Sequence, residues 1–333
     1  MLTDSYGRVA TDLRVSLTDR CNLRCAYCMP PEGLDWLPTP EVLTADEIVR
    51  LLTIGVEMLG IREVRFTGGE PLLRRDLADI IARTAALGPR PDISLTTNGI
   101  GLDKRATALK AAGLDRINVS LDTLRPEVFR KLTHRDRLAD VLDGLAAAAA
   151  AGLTPVKINA VIERGLNDHT ALDLLERFRG SPVIVRFIEF MDVGNRNQWR
   201  PELVVPSREL AARIHERWPM QPISQNYQGE VAKRWRFDDG GGEVGFISSV
   251  SQPFCGACSR ARLSSEGKFY TCLFATQGLD LRAPLRAGAE DAEVLKLIRG
   301  VWANRTDRYS ELREELRRAS PATKKIEMNY IGG

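Results

Sequence analysis

The segment Cys21-Asn22-Leu23-Arg24-Cys25-Ala26-Tyr27-Cys28 carries three cysteines in a C-x3-C-x2-C spacing and follows the first predicted strand of the chain. Three thiolates on one short loop can each bind a different iron of a four-iron cube, which leaves the fourth iron open to a reactant. A structural zinc site normally closes with four protein ligands, at spacings that this segment does not supply. The spacing therefore predicts an iron–sulfur cluster with an open iron. A zinc knuckle and three unrelated buried thiols are the alternatives.

The remaining cysteines, Cys255, Cys258 and Cys272, form a second set with the spacing C-x2-C-x13-C, so all six cysteines fall into two sets of three. Disulfides would need a secreted context, and no basic start followed by an apolar run marks a signal peptide. The second set predicts a second open-iron cluster. A zinc ribbon is the alternative, although the three histidines lie far away in the sequence.

Length and composition predict a cytoplasmic protein with two domains. The chain has 333 residues, 44% of them hydrophobic, which is enough for a substantial core. No apolar run approaches the roughly 18 residues of a membrane span, so we expect no membrane association. The net charge of +3 is close to balance and gives no reason to expect nucleic-acid binding.

Short β-rich runs alternate with helical segments along the first two hundred or so residues. The predicted strands are Asp12–Leu17, Glu63–Phe66, Asp92–Thr96, Arg116–Leu121, Pro155–Ile162 and Val183–Glu189. The predicted helices are Thr44–Leu59, Asp76–Leu87, Leu102–Ala112, Arg137–Ala151 and His169–Phe178. Six such repeats favour an α/β fold in which a parallel sheet curves into an incomplete (β/α)6 TIM-like barrel, with reactive residues on the loops after the strands.

The pattern changes near Trp199, where prolines interrupt the chain. A helix is predicted over Ser207–Arg217, and a hairpin joins Ala261–Ser264 to Lys268–Thr271. We therefore predict a barrel domain over 1–198, a smaller α+β domain with the second cysteine set over 199–320, and a tail over 321–333.

Two features of the predicted barrel indicate ligand binding. The turn Thr67-Gly68-Gly69-Glu70-Pro71 follows the second strand, and glycines allow the backbone to approach a ligand closely. Arg14, Lys157 and Arg186 lie within otherwise apolar strands, where a charge needs a partner. The planar guanidinium group of arginine can donate two hydrogen bonds to phosphate oxygens. Arg260 and Arg262 lie two residues apart on an extended segment, so their side chains can face one ligand.

The two cysteine sets together with the glycine turn resemble the GTP 3′,8-cyclase family of radical S-adenosylmethionine (SAM) enzymes. The resemblance implies a six-stranded partial barrel, two [4Fe–4S] clusters and SAM as cofactors. It also implies that SAM, chelated to the open iron of the first cluster, is cleaved reductively to a 5′-deoxyadenosyl radical. That radical takes H3′ from GTP, and the C3′ radical adds to guanine C8 to form 3′,8-cyclo-7,8-dihydro-GTP, in the first step of molybdenum cofactor biosynthesis.

The resemblance also assigns roles to individual residues. The SAM contacts are Tyr27, Gly68, Gly69, Ser120 and Met191. The GTP contacts are Arg14, Arg65, Thr96, Lys157, Arg260 and Arg262, with Arg186 as a further one. The C-terminal pair Gly332 and Gly333 reaches the active site, where it takes part in catalysis beside Cys21, Cys25 and Cys28.

The expected partners are an electron donor of the flavodoxin or ferredoxin type and the downstream cyclic pyranopterin monophosphate synthase, with the chain as a monomer or homodimer. Two alternatives remain open at this point. A peptide-modifying radical SAM enzyme with an auxiliary cluster would share the first cysteine set. A non-catalytic zinc or iron–sulfur module could use the same arginines to bind nucleic acid, but it leaves the glycine turn unexplained.

Overall fold

The computed structural model describes residues 1–227, 229–319 and 325–332, which are organised around a twelve-stranded sheet. The first six strands are parallel and alternate with helices. They are β1 (Asp12–Ser16), β2 (Glu63–Thr67), β3 (Asp92–Thr97), β4 (Arg116–Ser120), β5 (Val156–Ile162) and β6 (Val183–Glu189). The helices among them are α1 (Ala45–Thr53), α2 (Leu77–Ala85), α3 (Ala106–Ala111), α4 (Pro126–Thr133), α5 (Leu138–Ala150) and α6 (Ala171–Phe178).

The structure confirms all six predicted strands, with ends that differ by at most one residue. The first predicted helix begins as expected, because the Thr44 side chain accepts from the Glu47 N–H while the Glu47 carboxylate accepts from the Thr44 N–H. Its second half differs, since a π-helical turn replaces the α-helix over Ile54–Met58. Helix α4 was not predicted, although Pro126 at its first position is a common start signal.

The C-terminal region extends both edges of the parallel sheet. Its strands are β7 (Met220–Ile223), β8 (Lys233–Phe237), β9 (Glu243–Ile247), β10 (Arg260–Leu263), β11 (Lys268–Tyr270) and β12 (Leu279–Asp280). Its helices are α7 (Ser207–Arg217), α8 (Arg282–Arg286), α9 (Asp291–Ala303), α10 (Arg313–Ala319) and α11 (Met328–Ile331). Strand β10 pairs parallel with β1, and β9 pairs parallel with β6. The predicted hairpin is confirmed as β10 and β11, whereas the domain boundaries after residues 198 and 320 stay predictions.

Side chains alternate between the two faces of the barrel strands. Val15, Phe66 and Leu95 are fully buried on the face that packs against the helices. The opposite face, which lines the barrel interior, is polar. Arg14 precedes Val15, Arg65 precedes Phe66, and the two arginines lie in register on neighbouring strands. The interior of the barrel is therefore a polar site enclosed by an apolar shell. Among the described helices, none combines the length and the apolar character needed to cross a lipid bilayer.

Candidate active site

The first cysteine loop follows β1 and is held by α4. The N–H of Arg24 donates to Thr133 O at 2.9 Å, and the N–H of Ala26 donates to Leu132 O at 2.8 Å. The last carbonyls of a helix have no partner within the helix, so they are available to bind a loop in this way. The Arg24 side chain also donates to Cys21 O at 2.7 Å. The helix absent from the sequence prediction therefore positions the cysteine loop.

The three thiols of this loop are neighbours. Burial raises the pKa of Cys21 to about 11, and burial together with the nearby Cys21 raises the pKa values of Cys25 and Cys28. Such thiols ionise when a metal stabilises the thiolate. In the described part of the chain, no three His, Cys, Asp or Glu side chains converge as ligands of a single metal ion. Three buried neighbouring thiols on one loop suit a cluster in which each thiolate binds a different iron.

The second cysteine set lies around β10 and β11 in cationic surroundings. Although burial opposes ionisation of the Cys258 thiol, Arg260 and Arg305 lower its pKa to about 6. Arg260 donates to Cys258 Sγ at 3.2 Å, and Arg305 donates to the Cys258 carbonyl at 3.0 Å. Burial raises the pKa of Cys272 to about 11, and the Phe274 N–H donates to its sulfur at 3.5 Å. Donors aimed at cysteine sulfurs suit an anionic cluster.

Arginines from three adjacent strands meet in the barrel interior. In register, Arg14 of β1 stands between Arg65 of β2 and Arg262 of β10. Arg14 Nε, Arg65 Nε and Arg262 Nη1 are buried without a hydrogen-bond partner among the described residues. Burial and the neighbouring Arg262 and Arg65 hold the pKa of Arg14 well below its usual value. Burial, followed by Arg260, lowers the pKa of Arg262 to about 10. The Asp12 carboxylate lies 4.0 Å from Arg14 Nε, and the buried nitrogens that make no hydrogen bond would be stabilised further by an anion with several oxygens.

The opposite wall of the interior carries Lys157 and Arg186. Burial, followed by the proximity of Arg186, lowers the pKa of Lys157 to about 8. Burial and Arg65 lower the pKa of Arg186 to about 9. Arg186 donates to Asn159 Oδ1 at 2.9 Å and to Asn118 Oδ1 at 2.8 Å, so neighbouring side chains already hold it. The structure thus places the predicted GTP contacts on strands that line the barrel interior, while their role in binding GTP stays a prediction.

The glycine turn after β2 packs against the cysteine loop. A side chain at Gly68 would collide with Thr18 O, and one at Gly69 would collide with Arg20 O. The Gly69 N–H donates to Thr18 O at 2.7 Å, and the Glu70 N–H donates to Arg20 O at 2.7 Å. The glycines are therefore required by this close backbone packing. The contact of these glycines with SAM stays a prediction.

The other predicted SAM contacts lie at the carboxyl ends of the strands. The Tyr27 hydroxyl donates to Asp122 Oδ2 at 2.9 Å, and burial raises the pKa of Asp122 to about 6. Ser120 is the last residue of β4, and Met191 follows β6; both are partly buried. The Met191 carbonyl accepts from Asn197 Nδ2 at 2.7 Å. The structure thus places all three at the same rim as the cysteine loop, and their contacts with SAM stay predictions.

The C-terminal tail reaches the same rim. Gly332 is buried with φ +62°, and any side chain there would collide with Thr67 at the end of β2. Asn329 Nδ2 donates to Asp19 O at 3.3 Å, and Ile331 is fully buried. The tail therefore packs beside the cysteine loop, while its part in catalysis stays a prediction. Gly333 lies outside the described residues.

Several residues that organise the site were not predicted. Glu70 accepts from Thr97 Oγ1 at 2.7 Å and from the Asn98 N–H at 2.7 Å, which ties the turns after β2 and β3 together. Burial raises the pKa of Glu70 to about 7. Asp192 and Lys325 form an ion pair at 2.8 Å between the loop after β6 and the tail. Glu70 could have been found from its place in the glycine turn, whereas the Asp192–Lys325 pair leaves no local sequence signal.

Comparison with known proteins assigns the family. The Radical SAM superfamily model matches residues 15–178, and the Molybdenum Cofactor Synthesis C model matches residues 183–311. The GTP 3′,8-cyclase of Streptomyces coelicolor is 56% identical over 92% of this chain and 90% of its own. That of Xanthomonas axonopodis pv. citri is 49% identical over 100% of this chain and 99% of its own.

A solved structure supports the fold alone. Streptococcus suis SuiB bound to S-adenosylmethionine superposes with a TM-score of 0.60 at 15% identity, covering 87% of this chain and 68% of that one. The match covers most of this chain and so agrees with the incomplete barrel seen here. With full-length relatives at about half identity and both family models matched, this chain belongs to the GTP 3′,8-cyclase family of the radical SAM superfamily.

Proposed function

We propose that this chain cyclises GTP between C3′ and C8 in the first step of molybdenum cofactor biosynthesis. The observation that carries the proposal is the group of buried guanidinium nitrogens of Arg14, Arg65 and Arg262, which make no hydrogen bond to the described residues, although the Asp12 carboxylate lies 4.0 Å from Arg14 Nε. They lie on strands that run between the two cysteine sets. A nucleoside triphosphate carries about four negative charges, which this group of cations would offset.

The cysteines would hold the two clusters. Membership of the radical SAM superfamily implies one [4Fe–4S] cluster and SAM, for which the buried thiols of Cys21, Cys25 and Cys28 are suited. When bound, these cofactors supply a 5′-deoxyadenosyl radical to C3′ of GTP. We assign a second cluster to Cys255, Cys258 and Cys272, because Arg260 donates to the sulfur of Cys258 and the Phe274 N–H donates to that of Cys272.

The chain's own contribution is to place GTP and to exclude water. Arg14, Arg65 and Arg262 would grip the triphosphate from one wall of the barrel, and Lys157 would approach it from the other. Strand β10 begins at Arg260, two residues after Cys258, and carries Arg262, so one short strand links the predicted phosphate contacts to the second cluster. Holding a substrate rigidly in this way converts binding energy into orientation of the reacting carbon.

The glycine turn and the tail complete the rim. Tyr27, Ser120 and Met191 would contact SAM, and the carbonyl oxygens of Gly68 and Gly69 would accept from its amino group. Gly332, packed on Thr67, would cover the interior from the side of the tail. We also propose an electron donor of the flavodoxin or ferredoxin type, and cyclic pyranopterin monophosphate synthase as the enzyme that receives the product.

The test is anaerobic incubation of the reconstituted protein with a reductant, SAM and GTP deuterated at C3′. We expect deuterium in 5′-deoxyadenosine and a cyclised nucleotide, both detected by mass. Two controls apply: Cys28→Ala should form neither product, and ATP in place of GTP should give no cyclised nucleotide. Unlabelled 5′-deoxyadenosine from the wild-type protein, with GTP recovered intact, would refute the proposed function.

A further inference from the structure

Asp192 lies one residue after Met191, in the loop that follows β6, and is buried with 3% exposure. Its Oδ1 accepts from Arg313 Nε at 2.9 Å, and its Oδ2 accepts from the Tyr309 hydroxyl. Lys325 Nζ donates both to Asp192 Oδ2 at 2.8 Å and to the Asp192 carbonyl at 2.7 Å. One buried carboxylate thus joins three separate parts of the chain.

Lys325 is the tail's anchor in this cluster. Its Nζ also donates to the Tyr309 hydroxyl at 2.7 Å and lies 4.7 Å from the centre of the Tyr309 ring. The Tyr309 ring stacks on Phe274 at 4.3 Å, and Phe274 is two residues from Cys272. The ammonium group therefore links the loop after β6 to the segment that carries the last cysteine of the second set.

A second set of contacts holds the next residues of the tail to the same loop. Asn195 Nδ2 donates to the Lys325 carbonyl at 2.6 Å and to Glu327 Oε1 at 2.9 Å, and the Lys325 N–H donates to Asn195 Oδ1 at 2.9 Å. A side chain at Gly194 would collide with the Glu327 carboxylate. Residues 325–327 are thus fixed directly before α11, whose end places Gly332 on Thr67.

The anchored tail also forms part of a cavity wall. Asp192, Lys325 and Tyr309 line a cavity of about 920 Å³ that extends to Cys272 and Phe274. Loss of the Lys325 ammonium contacts would leave the Asn195 contacts in place, but it would remove the buried ion pair that holds the tail to the loop after β6 and to this wall, and so loosen α11 at the rim of the barrel. The same ion pair would therefore control the surroundings of both cysteine sets.

We propose that Asp192 and Lys325 are positioning residues that latch the C-terminal tail across the barrel mouth and so couple SAM cleavage to GTP cyclisation. The coupling rests on the proposed function, whereas the latch itself is a property of the folded chain. Neither side chain needs to touch GTP, because each acts through the place of α11 and Gly332.

The experiment compares Lys325→Met, which keeps the length of the side chain but removes its charge, with Lys325→Arg and Asp192→Asn. Lys296→Met is the matched control, since Lys296 is exposed on α9 and makes no hydrogen bond or ion pair within the described ranges. Each reconstituted holoprotein is studied in two ways. Hydrogen–deuterium exchange follows the amides of residues 328–332, and product analysis gives the ratio of 5′-deoxyadenosine to cyclised nucleotide.

In Lys325→Met and Asp192→Asn we expect amide exchange in α11 to be at least about tenfold faster than in the wild type. Both variants lose the charged hydrogen bond that holds the tail in place. Cyclised product should fall at least about tenfold while SAM cleavage continues, since small displacements of a substrate slow its reaction strongly. Lys325→Arg keeps the positive charge, so its exchange rate and product ratio should stay close to those of the wild type. Lys296→Met should also match the wild type.

Unchanged exchange in Lys325→Met and Asp192→Asn would overturn the latch. Faster exchange with an unaltered product ratio would overturn the positioning role. If the wild-type protein formed no cyclised nucleotide, the proposed function would fail and the coupling with it, while the exchange data would still decide whether the latch exists.

Discussion

Replacing Lys157 by methionine is expected to stabilise the fold and to weaken GTP binding. Lys157 lies on the interior face of β5, opposite Asn118 in register. Its ammonium group makes no hydrogen bond or ion pair with any residue that the structure describes. Burial, followed by the nearby cations Arg186 and Arg116, lowers its pKa from 10.5 to about 8. The charged form is thus disfavoured in the folded protein.

The pKa gives the size of the effect. Since a tenfold change in acidity corresponds to about 1.4 kcal/mol, a fall from 10.5 to about 8 costs the fold about 3 kcal/mol at pH 7. Lys157 retains some contact with solvent, so we expect a gain of about 2 kcal/mol in the variant. The pH dependence follows from the protons that the folded and unfolded proteins bind. Below pH 8 Lys157 is charged in both, so the folded protein bears the full cost of burying the charge. Between pH 8 and 10.5 the folded state loses its proton first, and the cost disappears.

The free energy of unfolding is measured from anaerobic urea titrations between about pH 7 and pH 10. The advantage of Lys157→Met should be largest at pH 7 and should fall to about a quarter of that value at pH 10, which lies just below the unfolded pKa of 10.5. Lys157→Arg keeps the cation and should show no such gain. In GTP titrations at pH 7, Lys157→Met should bind more weakly by about 1.5–3 kcal/mol, the worth of a charged hydrogen bond. A variant that is less stable at pH 7, or that binds GTP like the wild type, would refute the reasoning.

Three further outcomes are expected. Reconstituted wild-type protein should hold about eight irons per chain, four per cluster; Cys28→Ala should abolish SAM cleavage, whereas Cys272→Ala should keep the first cluster. Iron analysis with 5′-deoxyadenosine detection checks this, and equal loss of both clusters in both variants would contradict it. Arg262→Ala should weaken GTP by about 1.5–3 kcal/mol in direct titration without changing SAM affinity; unaltered GTP affinity would place Arg262 outside the site. Tyr27→Phe leaves the buried Asp122 without its hydroxyl donor, so urea titration should show a loss of about 1–3 kcal/mol, and an unchanged stability would count against that contact.

The barrel was predictable because its signals are local. Each of the first six strands is a short apolar run that contains polar or charged residues on its interior face, such as Arg14 in β1. Each predicted helix shows its own apolar periodicity. Helix α4 was missed because Arg125 before it supplies no side-chain cap, and a single proline such as Pro126 begins turns as well as helices. The placement of β9 and β10 on opposite sides of the six barrel strands was also beyond prediction, because pairing partners far apart in sequence leave no periodic signal.

The candidate site also has one part that the sequence predicts and another part that only the folded chain reveals. The spacing of Cys21, Cys25 and Cys28 is a local signal, because ligands of one cluster share a short loop, and the sequence alone is enough to indicate the chemistry. The Asp192–Lys325 pair joins side chains 133 residues apart, and Gly332 meets Thr67 across most of the chain. Chain folding alone brings such residues together, since their contact depends on the packing of the tail, the loop after β6 and the end of β2. Residue spacing within one loop therefore specified the cofactor chemistry, while tertiary packing specified which distant residues enclose it.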